Sequence, residues 1–537
     1  MTDLECDVLV IGSGAAGMTA ALTAAARGAS VIVAERAPTV GGTSAVSGGI
    51  AWIPAHERDA NIDLPVEDAL AYLASLSNGT QDPALVDVFV RSGAPMLALV
   101  ESESPLRFEV APGLLDYKPE HPGGKPLGGR SLSPLPFPMS ELGDWAQRVT
   151  EFPKDFSNVG FDAETRARLH SDLDGVEEVA VAGQALIGSL LRGLLDRGIE
   201  PLTGWRARHL VVEDGAVVGA RFDTAQGEEV IRARSGVVLA SGGFEWDPEL
   251  VRAFLRGPMR GPVSPPNNTG DSLRMAMELG AALGTMGEAW WVPVIKIPGD
   301  LMDGHVRSRS VRLERTRPRS IIVNGDGRRF VNEAGDYNSI GGAFHQLDAS
   351  RFAYVNNPAW LVFDQGHLDR YGFLGVAAGG EPLDWFNRSA DLASLAATIG
   401  VDPAGLERTV AEWNAASAAG VDEQFHRGES AYDSYWGDPE APDRVHRTIG
   451  PLDQGPYYAV PIEVGAMGTK GGPKTDGNGQ VLHVDGHAIP GLYAAGNAMA
   501  SVMGMAYGGA GGTLGPAMVF GFRAGHHAAT GETFPIS

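Results

Sequence analysis

Cysteine is almost absent from this sequence of 537 residues, in which Cys6 is the only example. A single cysteine excludes an internal disulfide bond and any zinc or iron–sulfur site that needs several cysteine ligands. We interpret Cys6 as a small apolar residue that enters the first strand of the fold.

Positive charge is also scarce. Lysine and arginine together number 42 against 66 aspartates and glutamates, which gives a formal net charge of −24. Because such a surface repels phosphodiester backbones and anionic membranes, we expect no nucleic acid among the partners of this protein.

The sequence also lacks an apolar run typical of a membrane-spanning helix. Residues 8–26 carry no charge and are long enough on length alone to cross a bilayer. They are rich in glycine and other small residues, however, and Asp3, Glu5 and Asp7 precede them where a secretory signal would carry positive charge. We therefore expect no transmembrane segment and a cytoplasmic protein.

Clusters of metal ligands are not expected either. The adjacent His526 and His527, and the segment from Glu423 to His426, contain ligand types but not the spacing of a metal site. Histidines near the end of a helix more often cap it or face solvent. We predict no bound metal.

Glycine, by contrast, is abundant, with 72 residues. The apolar residues 8–11 predict a buried strand, the alanine-rich residues 15–27 predict a helix that Gly28 ends, and residues 30–34 predict a second strand. This βαβ unit predicts a parallel sheet with helices on both faces.

More than one domain is expected, because the chain exceeds the roughly 250 to 300 residues at which a single core stops growing. Short alternating strands over 211–238 predict a small antiparallel sheet beside the parallel one. Proline, tryptophan and arginine then become frequent. The fold class is therefore α/β, a Rossmann-type, GR2-like domain over 1–283 and 455–537 with an inserted α+β substrate or cap domain over 284–454.

A nucleotide motif lies between the first strand and the first helix. In this G-x-G-x-x-G sequence, Gly12 permits the tight turn, Gly14 lets a pyrophosphate approach the backbone and Gly17 permits close helix–sheet packing. The helix N-terminus attracts the phosphate charge. Glu35, at the end of the second strand, is placed to bind ribose hydroxyls.

Three further segments of small residues identify the nucleotide. Residues 41–45 suit a second backbone cradle along a pyrophosphate and a flavin. With residues 240–243 and 491–497, they resemble the FAD-binding domain of the fumarate reductase and succinate dehydrogenase flavoprotein superfamily. The resemblance implies FAD as the cofactor. Besides the four residues of the first motif, the predicted FAD-binding residues are Ala15, Ala16, Arg36, Gly42, Thr43, Ser44, Gly48, Gly49, Ala240, Gly242, Gly496, Asn497, Gly512, Thr513 and Leu514.

Five other segments narrow the resemblance. They are residues 116–117 with 129–131, 329–337, 422–428, 468–472 and 507–511. In this order, and over nearly the whole chain, they are similar to the bacterial 3-ketosteroid delta-1-dehydrogenases. The resemblance implies FAD-dependent 1,2-dehydrogenation of a 3-ketosteroid or a related cyclic ketone.

The same resemblance implies roles for four residues. Tyr337 would abstract the proton next to the ketone, Tyr117 would assist it, and Tyr507 with the amide of Gly511 would bind the ketone oxygen. The forming enolate needs such donors, each worth about 3 kcal/mol of barrier. Because the ordinary pKa of tyrosine is about 10, we expect a donor or a positive charge to lower that of the base.

The last predicted helix follows this segment. Its positive N-terminal end, preceded by the backbone of residues 512–514, is expected to face the flavin pyrimidine and to stabilise the reduced, anionic flavin.

Two departures from the family leave a second substrate class open. Gly508 stands where the family commonly has proline, which predicts a looser loop next to Tyr507. In addition, Lys118, His121, Lys125 and Arg130 form a basic cluster that is either a solvated loop or a site for an acidic group. The alternative substrate is a smaller cyclic ketone, such as a cyclohexanone or an oxocyclohexane carboxylate.

Other functions are less favoured. Fumarate-reductase-like reduction of an alkene would place an arginine proton donor where Tyr337 stands. A flavin module without catalysis would not need a cap rich in aromatic residues. Since no haem-attachment motif or second nucleotide motif is evident, we expect an external electron acceptor, either a quinone, another carrier or oxygen.

Overall fold

The computed structural model describes residues 4–59, 61–151, 179–302 and 304–536. Residues 152–178, which belong to the predicted first part of the FAD-binding domain, lie outside the described residues. The helices are α1 Ala15–Ala26, α2 Gly42–Ala45, α3 Val66–Leu76, α4 Pro83–Glu103, α5 Ala182–Leu195, α6 Pro248–Phe254, α7 Asp271–Glu278, α8 Leu313–Thr316, α9 Tyr337–Ala343, α10 Gln365–Tyr371, α11 Leu392–Ile399, α12 Pro403–Ala419, α13 Ala431–Tyr435 and α14 Leu514–Thr530. Within the described ranges, 3-10 helices span Met139–Arg148, Val445–Arg447 and Gly496–Ala498.

The strands are short on average. They are β1 Leu4–Ile11, β2 Val31–Glu35, β3 Ala51–Trp52, β4 Phe108–Val110, β5 Ser131–Pro134, β6 Phe137–Pro138, β7 Val179–Ala180, β8 Leu202–Thr203, β9 Arg206–Glu213, β10 Ala216–Thr224, β11 Gly227–Leu239, β12 Gly261–Pro262, β13 Leu283–Gly284, β14 Ala289–Met302, β15 His305–Ser310, β16 Ser320–Asn324, β17 Leu347–Asp348, β18 Ala353–Tyr354, β19 Ala359–Asp364, β20 Asn387–Ser389, β21 Tyr457–Thr469, β22 Gly472–Pro473, β23 Gln480–Leu482 and β24 Ala488–Ala494.

The first sheet confirms the predicted Rossmann-type fold. Its main strands lie in the order β23-β24-β11-β1-β2-β8, and β1 is parallel to both β2 and β11. β24 from the far end of the chain is parallel to β11. The carboxyl ends of these parallel strands therefore meet at one edge, where this class of sheet binds nucleotides.

The predicted small antiparallel sheet is joined to the parallel one by a single long strand. The first part of β11 pairs antiparallel with β10, which in turn pairs with β9. The last part of β11 pairs parallel with β1 and β24. One strand thus carries the chain from the antiparallel hairpins to the nucleotide edge.

The second sheet has the order β15-β14-β21-β19-β16, and β12 and β20 also pair with β21. Its two faces are covered by separate apolar clusters, since Ile322 packs on one side while Ile321 and Val323 pack on the other. This alternation is what a central sheet layer requires.

The predicted boundary at 454/455 differs from this pairing. It assigns β21 to the FAD-binding part, yet β21 bonds to β14 and β19 of the second sheet. β12, also assigned to the first domain, pairs with β21. The division into domains stays a prediction; β21 resembles any buried strand in sequence, and only its partners show which sheet it joins.

The terminal helix is packed tightly onto the first one. A Cβ atom at Gly521 would lie 2.4 Å from the carbonyl oxygen of Ala16, and one at Gly525 would lie 2.3 Å from that of Ala20. This close contact fixes the N-terminus of α14, and with it the segment around Gly511, beside the nucleotide loop.

The uncharged segment 8–26 forms β1 and α1, and both are buried. Among the described residues, α4 is the one helix long and apolar enough to cross a membrane by length and composition. Its residues Val86, Phe89, Val90 and Val100 lie in the main apolar core. Because core helices of globular proteins pass the same test, this helix is weak evidence for a membrane span.

Candidate active site

The glycine motif closes tightly between β1 and α1. Gly12 has φ of +111°, and a Cβ there would lie 2.4 Å from the carbonyl oxygen of Ala240. A Cβ at Gly17 would lie 2.0 Å from the carbonyl oxygen of Gly12. A Cβ at Gly14 would meet only the hydroxyl of Ser44, at 3.3 Å, and more distantly Gly41. Two of these glycines are thus required by the fold itself, whereas Gly14 leaves its side open to a ligand.

Glu35 links the motif to the second cradle. Its carboxylate accepts hydrogen bonds from the amide and the hydroxyl of Ser13, at 3.1 and 2.7 Å. The same hydroxyl accepts a bond from the amide of Gly41 at 3.0 Å, and the hydroxyl of Ser44 accepts one from the amide of Ala15 at 3.0 Å. β2, the glycine loop and the segment 41–45 are therefore one hydrogen-bonded unit.

Asn268 was not anticipated from the sequence. It donates to the hydroxyl of Thr43 at 2.9 Å and to the carboxylate of Glu245 at 2.7 Å. Its side chain also lies against Gly242, where a Cβ would be 2.7 Å from its amide oxygen. No local motif marks this asparagine, since its partners lie in distant segments.

Arg36 lies at the same edge, but its guanidinium faces the protein. It donates to the carbonyl oxygen of Asn267 at 2.9 Å and to the hydroxyl of Thr269 at 2.6 Å, and it is 3.3 Å from Asp271. The remaining predicted residues lie around this edge. Gly48 and Gly49 follow α2, Ala240 follows β11, Gly496 and Asn497 follow β24, and residues 512–513 precede α14, which Leu514 begins.

These residues fit FAD. The open side of Gly14, the carboxylate of Glu35 and the small residues of segment 41–45 form a cradle of the type that takes a pyrophosphate and a ribose. The N-terminus of α14 supplies a second positive dipole end at the same edge.

Three tyrosines from distant parts of the chain converge beside this edge. The ring centroids of Tyr117 and Tyr337 are 5.2 Å apart, those of Tyr117 and Tyr507 are 5.1 Å apart, and those of Tyr337 and Tyr507 are 5.4 Å apart. The hydroxyl of Tyr117 donates to that of Tyr337 at 2.5 Å. The structure therefore brings together the three phenols that the sequence singled out.

An ion pair between adjacent residues fixes Tyr117 and Tyr337 relative to each other. Tyr337 is the first residue of α9, whose N-cap Asp336 accepts a bond from the amide of Ser339 at 2.9 Å. Asp336 also lies 2.7 Å from the ammonium of Lys118, the residue after Tyr117. The Asp336 charge raises the pKa of Lys118. The residue after Tyr117 and the residue before Tyr337 thus form an ion pair.

Asp116 anchors the other side of Tyr117. It is buried and paired with Arg130 at 2.6 Å. Its carboxylate also accepts bonds from the indole N–H of Trp52 at 2.9 Å and from the amide of Lys125 at 3.0 Å. A carboxylate with this many donors holds its segment rigidly.

The loop that carries Tyr507 is held rather than loosened. The carbonyl oxygen of Gly508 accepts bonds from the amide of Tyr117 at 3.0 Å and from the hydroxyl of Tyr72 at 2.7 Å. A Cβ at Gly508 would lie 2.9 Å from the ring of Trp52. The expectation of a looser loop was wrong, because glycine there lets the backbone pack against an indole ring.

Lys470 also holds the loop that carries Tyr507. Its ammonium donates to the carbonyl oxygens of Met505 at 3.1 Å and Ala506 at 2.7 Å, and it lies 4.4 Å from the centroid of the Trp290 ring. Burial lowers the pKa of Lys470 to about 7. The segment 468–472 therefore positions Tyr507.

The backbone amide of Gly511 is placed to donate a hydrogen bond to a ligand. Its φ is +92°, and a Cβ would lie 2.4 Å from the carbonyl oxygen of Ile50. Its amide has no acceptor among the described residues, whereas the amides of Gly512 and Gly515 donate to Gly509 and Gly511. The hydroxyl of Tyr507 lies 3.0 Å from that of Thr513.

The electrostatics of the tyrosines are dominated by burial. Burial raises the pKa of Tyr337 well above its ordinary value, and the neighbouring Tyr507 acts in the same direction. The Arg312 charge and the hydrogen bond from Tyr117 act to lower it. Burial also raises the pKa of Tyr507, against the hydrogen bond with Thr513.

Arg312 and Tyr432 complete the site and were missed in the sequence. The guanidinium carbon of Arg312 lies 5.2 Å from the ring centroid of Tyr337, and the ring of Tyr432 lies 5.1 Å from that of Tyr117. Both line a cavity against Tyr117 and Tyr337. Tyr432 lies just beyond the segment 422–428, but Arg312 stands in an arginine-rich stretch where nothing distinguishes it.

The predicted basic cluster is not a site for an acidic group. Lys118 pairs with Asp336, Lys125 with Asp68 at 2.7 Å and Arg130 with Asp116. His121 lies 3.2 Å from the hydroxyl of Ser75. The alternative reading as a solvated loop is also wrong for Arg130, which is 1% exposed.

The histidines considered as metal ligands have other partners. His526 accepts a bond from Arg27 at 3.2 Å, His527 lies 2.9 Å from the hydroxyl of Tyr493, and His426 pairs with Glu429. Elsewhere among the described residues, one group of possible ligands lies at the turn before β24: His483, Asp485 and His487.

Together, the two-part Rossmann-type sheet, its double cradle and the buried phenols define a flavoprotein oxidoreductase. Comparison with known proteins gives the family. Residues 7–514 match the family described as FAD binding domain, and the chain belongs to this family.

The curated relatives that are 40% identical to the chain include two with different substrates in their names. One is the 4-oxocyclohexanecarboxylate 2-dehydrogenase of Sinomonas cyclohexanicum, over 97% of this chain and 92% of the relative. The other is the 3-oxosteroid 1-dehydrogenase of Mycobacterium tuberculosis, over 98% of this chain and 99% of the relative.

A solved structure has the same fold along the whole chain. It is the 3-ketosteroid delta1-dehydrogenase of Sterolibacterium denitrificans in complex with 1,4-androstadiene-3,17-dione, with 33% identity, a TM-score of 0.90 and coverage of 98% of this chain and 100% of that one. The protein is thus an FAD-dependent oxidoreductase similar to the 3-oxosteroid 1-dehydrogenases.

Proposed function

We propose that the protein desaturates a ring carbon–carbon bond next to the carbonyl group of a cyclic ketone. The observation that carries this proposal is the convergence of Tyr117, Tyr337 and Tyr507 at the edge where FAD fits. When bound, FAD supplies the acceptor for the hydride that leaves the β-carbon of the ketone.

The chain's own residues act on the other hydrogen. Tyr507 and the amide of Gly511 donate hydrogen bonds to the ketone oxygen, and the ionised phenol of Tyr337 takes the proton from the α-carbon. The electrons of that C–H bond move toward the ketone and form an enolate, which the two donors stabilise. Expulsion of the β-hydride then forms the C=C bond.

Tyr337 must lose its own proton before it can act as a base. Because burial opposes this ionisation, two features of the site matter: the donor hydroxyl of Tyr117 and the positive charge of Arg312, both of which lower the pKa of Tyr337. The ionised fraction, and hence the rate, is expected to rise as pH rises.

The FAD itself is held, in this proposal, by the glycine loop, Glu35, segment 41–45 and the N-terminus of α14. Gly14 lets the pyrophosphate approach the backbone, Gly12 and Gly17 close the turn, and residues 512–514 face the pyrimidine. The fit of the cradle described above supports this assignment.

Two substrate classes follow from the relatives. The first candidate is 1,2-dehydrogenation of a 3-ketosteroid, supported by the relatives from Mycobacterium tuberculosis and Sterolibacterium denitrificans. The second is the same reaction on an oxocyclohexane carboxylate. It is supported by the relative from Sinomonas cyclohexanicum and by a specific observation, the presence of a guanidinium in the cavity beside Tyr337.

The test is anaerobic reduction of the bound flavin, followed by its absorbance. A 4-ene-3-ketosteroid and 4-oxocyclohexanecarboxylate are mixed separately with the oxidised holoenzyme. We expect bleaching with at least one of them and the desaturated product in the mixture. A yellow enzyme that no cyclic ketone reduces would contradict the proposal.

The electron acceptor is external in this proposal, a quinone or another carrier. Reoxidation of the reduced enzyme by a soluble quinone, measured against reoxidation by oxygen, tests it. The cytoplasmic location stays a prediction.

A further inference from the structure

The cavity beside the tyrosine pair has a mainly neutral lining. Leu114, Leu115 and Ile50 form apolar walls, and Tyr432 and Trp436 form aromatic ones. Among the described residues that line it, Arg312 supplies the cation and no carboxylate is present. Arg312 is half-buried, and a partly desolvated cation is stabilised by an anion that balances it.

Arg312 has no such anion within the described part of the chain. No carboxylate of the described residues forms an ion pair with the Arg312 guanidinium. The Nε atom of Arg312 is buried without a hydrogen-bond partner. Glu314 is close in sequence, but it accepts a bond from the backbone amide of Arg312, at 3.1 Å.

Arg317 also has a buried Nε atom without a hydrogen-bond partner, but its guanidinium lies over the ring of Tyr371. Three other neighbouring arginines differ from Arg312 in their partners. Arg319 pairs with Asp364 and Asp453, and Arg329 pairs with Glu333 and Asp422. Arg315 donates to the backbone carbonyls of residues 311, 333 and 335. These arginines serve the fold, whereas the guanidinium of Arg312 faces the cavity and the ring of Tyr337.

We propose that Arg312 binds a carboxylate group of the substrate, so that the preferred substrate is a monocyclic keto acid rather than an uncharged ring system. This inference rests on the proposed function. A guanidinium presents parallel donors that match the two oxygens of a carboxylate. The ketone end of the same ring is bound by Tyr507 and Gly511, beside Ala510, which also lines the cavity.

A steroid would leave this cation without an anion. A keto acid supplies that anion and gains a charge-assisted contact. The Arg312 guanidinium therefore discriminates between the two classes of substrate. The competing role of Arg312 is purely electrostatic, because its charge also lowers the pKa of Tyr337. That role would affect charged and uncharged ketones alike.

Binding of substrate analogues separates these roles without turnover. The probes are 4-hydroxybenzoate, a planar ring with a carboxylate opposite the oxygen, and 4-methylphenol, which lacks the charge. Both are titrated into oxidised holoenzyme and followed by flavin absorbance and by calorimetry. The variants are Arg312→Met, which keeps an unbranched apolar stem, Arg312→Lys, and the control Arg351→Met at an exposed position.

We expect Arg312→Met to raise the Kd of 4-hydroxybenzoate by at least about 30-fold, with little change for 4-methylphenol. Arg312→Lys should recover part of the affinity, and Arg351→Met should behave as the parent. The kcat/KM values for 4-oxocyclohexanecarboxylate and 4-methylcyclohexanone should both fall, because Tyr337 loses a positive neighbour, and the fall should be at least about 30-fold larger for the keto acid.

Equal losses for both probes, or no loss for 4-hydroxybenzoate, would overturn the inference. The two proposals fail separately. If 4-hydroxybenzoate binds in an Arg312-dependent manner while no ketone bleaches the flavin, the carboxylate site stands and the proposed reaction falls. If ketones bleach the flavin with unchanged selectivity in Arg312→Met, the reaction stands and the carboxylate site falls.

Discussion

The surroundings of Tyr337 act on its ionisation in two opposite directions. It is buried among other phenols, which stabilises its neutral form, yet it accepts a hydrogen bond from Tyr117 and faces the charge of Arg312, which stabilise its ionised form. A residue balanced in this way can change its protonation state during a reaction, whereas a tyrosine in a purely apolar core cannot.

Replacement of Tyr337 by phenylalanine removes the base and keeps the ring packing. We expect kcat to fall by about 10²- to 10⁴-fold, with FAD content unchanged. Tyr117→Phe removes only the donor, so the pKa of Tyr337 rises further and the rising limb of the pH–rate profile moves to higher pH. Anaerobic flavin reduction from pH 6 to 10 measures both effects.

Tyr354→Phe is the control for these variants, since its hydroxyl contacts a backbone carbonyl outside the site. Full activity in Tyr337→Phe would show that another group takes the proton. An unshifted pH profile in Tyr117→Phe would remove the assisting role of that residue.

Among the elements, the glycine turn between β1 and α1 separates structural glycines from a ligand-facing one. At Gly17 a methyl group would collide with the backbone of Gly12, while at Gly14 it would meet only a serine hydroxyl. Gly17 is therefore needed for the helix to lie on the sheet, and we propose that Gly14 is needed for the pyrophosphate to approach the backbone.

Alanine substitutions test this division. Gly14→Ala should purify folded but with little FAD, because the methyl group occupies the pyrophosphate side of the loop. Gly17→Ala should destabilise the apoprotein itself, by about 1–3 kcal/mol. Gly325→Ala is the control, since a Cβ there meets nothing within 4 Å. The measurements are the flavin-to-protein absorbance ratio and the urea midpoint of the apoprotein; normal FAD loading in Gly14→Ala would refute the assignment.

At the scale of the whole molecule, the two sheets meet in one apolar cluster around the tyrosines, which includes Val238 of β11 and Val292 of β14. Tyr337 begins α9, which packs against β14 of the second sheet, while Tyr117 and Tyr507 belong to segments packed on the first. The site therefore exists only when both parts have folded and docked. Buried histidines in each part couple that folded state to pH.

His367 in α10 and His56 after β3 are buried, and burial lowers the pKa of each to about 4. A histidine that is neutral when folded takes up a proton on unfolding below its unfolded pKa of about 6.5. Its contribution to stability is thus complete above pH 6.5 and is lost as pH falls toward 4.

We therefore expect stability to fall between pH 6.5 and 4, and His367 alone to account for about 3 kcal/mol of that loss. His367→Gln should unfold more easily at pH 7 but lose less stability on acidification. The exposed His426→Gln is the control. Urea unfolding at pH 4, 5, 6 and 7 measures the difference, and parallel pH curves for His367→Gln and the parent would contradict the prediction.

Much of the architecture could be predicted from local sequence. The strand–glycine–helix–strand pattern of residues 8–35 specifies its own βαβ unit, because each part has the periodicity and the turn residues that the unit needs. The family-like segments around Tyr117, Tyr337 and Tyr507 pointed to the phenols that the structure brings together.

What the sequence could not determine depends on partners that lie far apart along the chain. β21 looks like any buried strand until β14 and β19 bond to it, and the lysine and arginine of the basic cluster look available until Asp336 and Asp116 pair with them. Arg312 looks like its arginine neighbours until tertiary packing leaves it without an anion in the cavity. Local pattern determined the elements and the cofactor cradle; the charge balance of the site was decided by tertiary structure, because electrostatic pairing acts through space rather than along the chain.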